Sequence, residues 1–416
     1  MKQDIAKQII ETIDSKSKEI IDFALDLVKI PSETPPGNEK AVASLIMEKA
    51  KIWGLPEPEI LCEKPDRPNL IYKIKGKSSK KVLILNGHID TKPIGEADKW
   101  KRINPYKPEI IDDKLYGRGS TDMKGGVAGI IAAAMAILKC KASLGGNLML
   151  VLTSDEEGGC MYGANVIIKK GLKGNAMIIA EPSGIDRDFD NLGLACRGVA
   201  AGKIVVHGTQ MHSSLSDNGY CVNASVKMAK VLIEFSENLK KYLHYDPHHL
   251  YPNGPTVTVG TLNEDIYFPV TVVPGIASFI FDIRIIPGMK AEDIKKDVEN
   301  FLKALKEKDK DLQVEVIWKK PLELWTLPVE ISPDNPLVSS CVKTTEEIIG
   351  IKPNLMGVPF STDGCYFGNK LKIEVIPSFG PGFIRIAHGP DEFVNVKAIL
   401  DAVKIFAISS IRYLNF

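Results

Sequence analysis

Three unbroken apolar runs organise the first half of the chain, and each ends in acidic or imidazole side chains. Val82-Leu83-Ile84-Leu85 leads into Asn86-Gly87-His88-Ile89-Asp90. Leu148-Met149-Leu150-Val151-Leu152 leads into Thr153-Ser154-Asp155-Glu156-Glu157-Gly158-Gly159, and Met177-Ile178-Ile179-Ala180 into Glu181-Pro182. Such runs, bounded by Gly and polar residues, read as strands buried on both faces. Leu70 to Ile74 predicts another strand before them. Ser17 to Lys29 places Ile20, Ile21, Ala24, Leu25, Leu27 and Val28 at helical spacing. A small-residue helix is predicted from about Met123 to Leu138, with Asp122 where an N-cap would sit. A further helix, about Tyr162 to Lys170, stops at Gly171.

The texture changes near Arg197. Gly202–Gly208, Val257–Leu262, Ile276–Ile286 and Val314–Trp318 read as strands, and Asn223–Phe235 as a helix. This predicts an α+β layer built separately from the parallel sheet. The expected organisation is an α/β domain with a mostly parallel central sheet, made of residues 1–195 and 326–416. An inserted α+β domain spans 196–325.

At 416 residues the chain is long for one hydrophobic core, which supports two domains. Its 53 basic and 52 acidic residues nearly cancel, so charge gives no sign of nucleic-acid or membrane binding. Seven scattered Cys without a CxxC pair fit a reduced, cytoplasmic setting. The first residues lack the apolar stretch of a signal peptide, and no run reaches the roughly 18 apolar residues that a spanning helix needs.

In open α/β sheets ligands bind at the carboxyl ends of strands. One imidazole and several carboxylates delivered there point to a hard-to-borderline metal. His88 and Asp90, two apart, would share a strand face, so Asp90 can orient His88. Asp122 lies among Gly117, Gly119, Gly125 and Gly126, and its two oxygens suit a bridge between two cations. Adjacent Glu156 and Glu157 repel unless a positive charge is near. With a metal present, one can ligate while the other serves as a base. His388 would supply the second imidazole of a two-metal site. The bland alternatives are a capped strand end for His88 and Asp90, and a helix cap for Asp122. For Glu156-Glu157 it is a solvated loop, for Glu181 an exposed turn, and for His212 an exposed loop. No GxSxG, HExxH or Walker A loop is present, and Asp122 stands at the third glycine position of the GxGxxG-like GRGSTD segment.

The ordered set GHID, GRGSTDMKGG, TSDEEGG, AEPSG, HSS, STDG and AHGPDE resembles the dinuclear-zinc amidohydrolases, which include acetylornithine deacetylase, succinyl-diaminopimelate desuccinylase, aminoacylase and glutamate carboxypeptidase. The resemblance implies a zinc-peptidase-like catalytic domain and a dimerisation lid. His88 and Glu181 would hold one metal, Glu157 and His388 the other, and Asp122 would bridge them. Asp90 would orient His88, and Glu156 would be the general base. The bond after Asp122 would be cis. His212 would reach a partner subunit's active site. Arg284 would grip a substrate carboxylate; Ser361, Thr362, Gly380 and Gly382 would line the substrate. Two Zn²⁺, or Co²⁺ or Mn²⁺, would activate water against the amide of an N-acyl amino acid or a short peptide. A carboxypeptidase or dipeptidase on the same scaffold is the alternative, and a silent metal-binding homologue a lesser one. Thr271 stands where the family usually has Asn before Val-Pro, which alters an expected lid contact.

Overall fold

The computed structural model describes residues 3–105, 107–216, 219, 221–263, 271–318 and 326–415. The expected domain boundary at 325 lies outside the described residues. The chain divides into two compact units. One comprises Met1–Cys196, Val329–Val358 and Thr362–Phe416; the other comprises Arg197–Pro328 and Pro359–Ser361.

The first unit is built on a six-stranded sheet. Its order is Glu59–Leu61, Asn69–Ile74, Asn147–Thr153, Val82–His88, Ala176–Ile179 and Glu374–Ile376. The last four strands run parallel, and the first two add antiparallel at one edge. Every residue of Val82–His88 is buried. Period-two alternation divides that strand between two cores. Val82 and Ile84 pack with Ile167, Met177 and Phe367. On the opposite face a side chain at Gly87 would meet Val127 and Ile130 of the helix Gly125–Lys139. Cover on both faces is why the run has no polar alternation.

That helix starts at Gly125, not Met123, and Asp122 does not cap it. Ser120–Lys124 forms an irregular π-type turn in which Asp122 has φ −125° and ψ 91°, and the Asp122–Met123 peptide is cis. The segment Ser120–Lys139 is by length and composition apolar enough to cross a membrane, but 94% of its apolar window is buried inside the protein. It packs on the C-terminal helix Val396–Leu414 as a core element. The helix expected at Tyr162–Lys170 shortens to Ala164–Lys169, and Gly171 follows with φ +76°.

The second unit holds a four-stranded antiparallel sheet in the order Thr256–Asn263, Ile276–Ile285, Gly198–His207, Gln313–Ile317. Phe235 of the helix Ala224–Asn238 packs against Phe279 and Phe281 of the strand Ile276–Ile285 and against Phe301 of the helix Ala291–Lys308. Edge-to-face rings of this kind hold helices to a sheet over a large apolar area.

Candidate metal centre

His88 ends its strand with its imidazole almost fully buried. Its Nε2 lies 2.9 Å from Asp122 Oδ1 and 3.3 Å from Glu181 Oε1. His388 Nε2 lies 3.0 Å from the other Asp122 oxygen, Oδ2, and 3.0 Å from Glu157 Oε1. Asp122 therefore divides its two oxygens between two imidazoles, each joined by one further carboxylate. Ligand-type atoms of His88, Glu156 and Glu181 also fall within 4.8 Å of one another. Ligands about 2.0–2.1 Å from a four-coordinate zinc stand about 3.3 Å apart, so these separations fit a small divalent ion.

The electrostatics favour cation binding. Burial opposes charge on His88, but Glu181, Asp122 and Asp90 outweigh it and hold the imidazole's pKa well above its usual range. His388 resists burial in the same way and is pushed up to about 10 by Asp122 and Glu157. Burial raises Asp122, yet hydrogen bonds from both imidazoles carry its carboxyl well below the usual range. Burial raises Glu181 to about 7 and, with Glu157, Glu181 and Asp363 nearby, lifts Glu156 well above the carboxylate range despite the opposing pull of His88. Crowded buried acids of this kind call for a compensating positive charge.

Asp90 acts differently from a simple partner of His88. His88 Nδ1 lies 3.0 Å from the Asp90 main-chain carbonyl and 3.6 Å from its carboxylate. The carboxylate instead accepts the amides of Glu156 and Glu157, both at 3.1 Å. One residue thus fixes the imidazole through its main chain and the acidic loop through its side chain.

Three supporting groups escaped the sequence reading. Glu392 is fully buried, accepts the amides of Thr121 (3.0 Å) and Asp122 (3.1 Å), and pairs with Arg118. Arg118 also donates to the His388 carbonyl at 2.9 Å, tying both candidate ligands to one ion pair. Arg67, itself buried, pairs with Asp155, which precedes the Glu pair and has φ +60°. These partners lie far apart in sequence, and no local pattern joins them. Their only signal was isolated charge beside a motif.

The remaining candidates occupy varied settings. Gly380 and Gly382 have packing reasons: an added Cβ would lie 2.1 Å from Ala180 O and 2.4 Å from Thr121 Oγ1 respectively. Thr362 caps the helix Asp363–Leu371. In the second unit, Ser361 Oγ donates to the Arg197 carbonyl at 2.6 Å, and Arg284 Nε sits 3.0 Å from Asp282. His212 is exposed; its Nδ1 accepts the Ser214 amide at 3.2 Å, so a neutral ring carries its proton on Nε2. His212 pairs with Val272, and Ser213 donates to the Thr271 carbonyl at 2.8 Å, so the departing Thr271 adjoins the histidine's segment.

Residues 84–409 match the family model Peptidase family M20/M25/M40. A succinyl-diaminopimelate desuccinylase of Methylorubrum populi is 30% identical over 289 residues, 67% of this chain and 70% of that protein. One from Helicobacter hepaticus is 27% identical over 403 residues, covering 92% and 94%. Among solved structures, an M20 family metallo-carboxypeptidase from Sulfolobus solfataricus superposes with TM-score 0.78 at 20% identity, covering 96% of this chain and all of that one, 100%. Human carnosine dipeptidase 1 superposes with TM-score 0.75 at 16% identity, covering 99% of each chain.

Proposed function

The chain belongs to peptidase family M20/M25/M40, and on that footing we propose that it hydrolyses the amide bond of N-acyl amino acids at a centre of two divalent ions. The observation that carries this reading is the division of Asp122 between His88 and His388, at 2.9 and 3.0 Å. His88, Asp122 and Glu181 would hold one ion; Asp122, Glu157 and His388 would hold the other. Zn²⁺ suits the imidazole–carboxylate set best, with Co²⁺ and Mn²⁺ as substitutes. Such ions, when bound, polarise an amide carbonyl and acidify a water.

The protein's own groups supply the rest. Glu156 takes a proton from the water and returns it to the leaving nitrogen, so amide and water become acid and amine. Burial and the neighbouring Glu157, Glu181 and Asp363 raise its affinity for a proton, the property a general base needs. Asp90 keeps this base and the imidazole of His88 in register. His212, with its proton on Nε2, would donate to a developing oxyanion in a partner subunit's site, a role worth a few kcal/mol. On this reading the second unit would serve as the dimerisation lid of a homodimer. Arg284, released from Asp282, would receive the substrate carboxylate, and Ser361, Thr362, Gly380 and Gly382 would face the amino-acid end.

The desuccinylase names of the relatives favour acyl amino acids, whereas the carboxypeptidase and dipeptidase names of the structural neighbours favour peptides. Amine release from N-acetyl, N-formyl and N-succinyl amino acids and from dipeptides, with Zn²⁺- or Co²⁺-loaded protein, separates them. Turnover confined to acyl amino acids supports the proposal. Turnover of dipeptides alone replaces it with a peptidase, and no turnover on any class removes it.

A further inference from the structure

Lys92 has no part in the chemistry above, yet it holds one of the candidate ligands twice. Its Nζ donates to the Glu157 main-chain carbonyl at 2.5 Å and lies 3.1 Å from Glu157 Oε2. The other carboxylate oxygen, Oε1, faces His388 Nε2 at 3.0 Å. Glu157 is thus split between an ammonium and an imidazole, while its side chain is only 5% exposed. Among the described residues Asp122 and Glu181 pair only with the imidazoles of His88 and His388.

We propose that Lys92 is a positioning residue that restricts Glu157 to one ligating oxygen and, by its charge, loosens the ion held by Glu157 and His388. This rests on the two-ion reading. Two effects oppose each other. Gripping main chain and side chain together holds Glu157 in one rotamer, which favours binding by sparing side-chain entropy. A fixed positive charge beside a ligand repels a dication, and that repulsion scales with the product of the charges. Lys92 is partly shielded from water, its side chain 36% exposed, so solvent screens the repulsion incompletely. Against one ordered side chain, the doubled charge product dominates.

The test is competitive Zn²⁺ titration of the metal-free full chain, comparing the natural protein with Lys92→Met and Lys92→Gln, and the visible absorption of the Co²⁺ forms. Thermal unfolding of each metal-free variant checks that it is folded. Lys92→Gln keeps a donor to Glu157 without the charge, so it separates electrostatics from hydrogen bonding and stands in if the Met variant does not fold. The weaker of two binding steps is expected to tighten about tenfold in both variants, with the stronger step unchanged. The Co²⁺ spectrum is expected to change only with the second equivalent. Two bound ions with unchanged, weakened or equally tightened steps would overturn the role of Lys92 and leave the metal centre standing. Fewer than two ions bound by the natural protein would overturn both.

Discussion

Glu156 and Glu157 are neighbours in sequence with opposite surroundings. Glu157 is held between Lys92 and His388, whereas burial, and then the acids around it, raise the pKa of Glu156. Glu156→Gln should lower kcat by a factor of about 100 or more while metal content stays at the natural level; near-natural turnover would remove Glu156 as the base. His212→Ala should lower kcat without changing metal content, and unchanged kinetics would make His212 a surface residue. The two imidazoles predict a pH effect. With His388 raised to about 10, its ring is protonated in the metal-free protein at neutral pH. Ligation needs the neutral ring, so metal binding releases protons and affinity climbs as pH rises towards 10. By the same linkage, the ion pairs of protonated His388 stabilise the metal-free fold fully below the unfolded value near 6.5. That stabilisation is lost as pH rises through about 10. Calorimetry of Zn²⁺ binding in two buffers of different ionisation heat reads the proton count, and identical heats would contradict this assignment. His88, Glu181 and the Glu pair were legible because each ends an apolar run. Lys92, Arg67 and Glu392 were not, because their partners are distant in sequence.

At the scale of elements, the centre depends on how closely the helix Gly125–Lys139 approaches the strand Ala176–Ile179. Gly126 permits it: an added Cβ would lie 2.4 Å from the Ala180 carbonyl, next to Glu181. Gly126→Val should cost about 1–3 kcal/mol in urea unfolding, as overpacking of a filled core does. It should also weaken metal binding by displacing Glu181; an unchanged midpoint would show that the helix can retreat. The strands were readable from their length and continuous apolarity, since burial on both faces leaves no alternation to misread. The start of this helix was not readable. The spacing suggested Asp122 as a cap, but the chain turns irregularly between Ser120 and Lys124, and Asp122 faces the imidazoles instead. Local propensity favoured the cap; burial of Glu392 against the Thr121 and Asp122 amides decided the turn.

For the whole molecule, every candidate ligand and Glu156 belong to the first unit. Saturating Zn²⁺ should therefore stabilise that unit by about 2.7 kcal/mol per site at a hundredfold excess over Kd. Chelation with EDTA should lower its unfolding temperature and leave a separate transition of the second unit in place. A uniform shift of all unfolding signal in calorimetry would mean that the two units unfold as one. The sequence by itself determined the class of fold and the chemical types at the strand ends. Periodicity and apolar continuity are local properties, and a strand end in an α/β sheet has one functional edge. Only the tertiary structure decided which oxygen faces which imidazole, that Asp90 grips the acidic loop with its carboxylate, and that Lys92 stands against Glu157. Those pairings join residues from separate strands and loops, and their distances exist only once the sheet has brought the strand ends together.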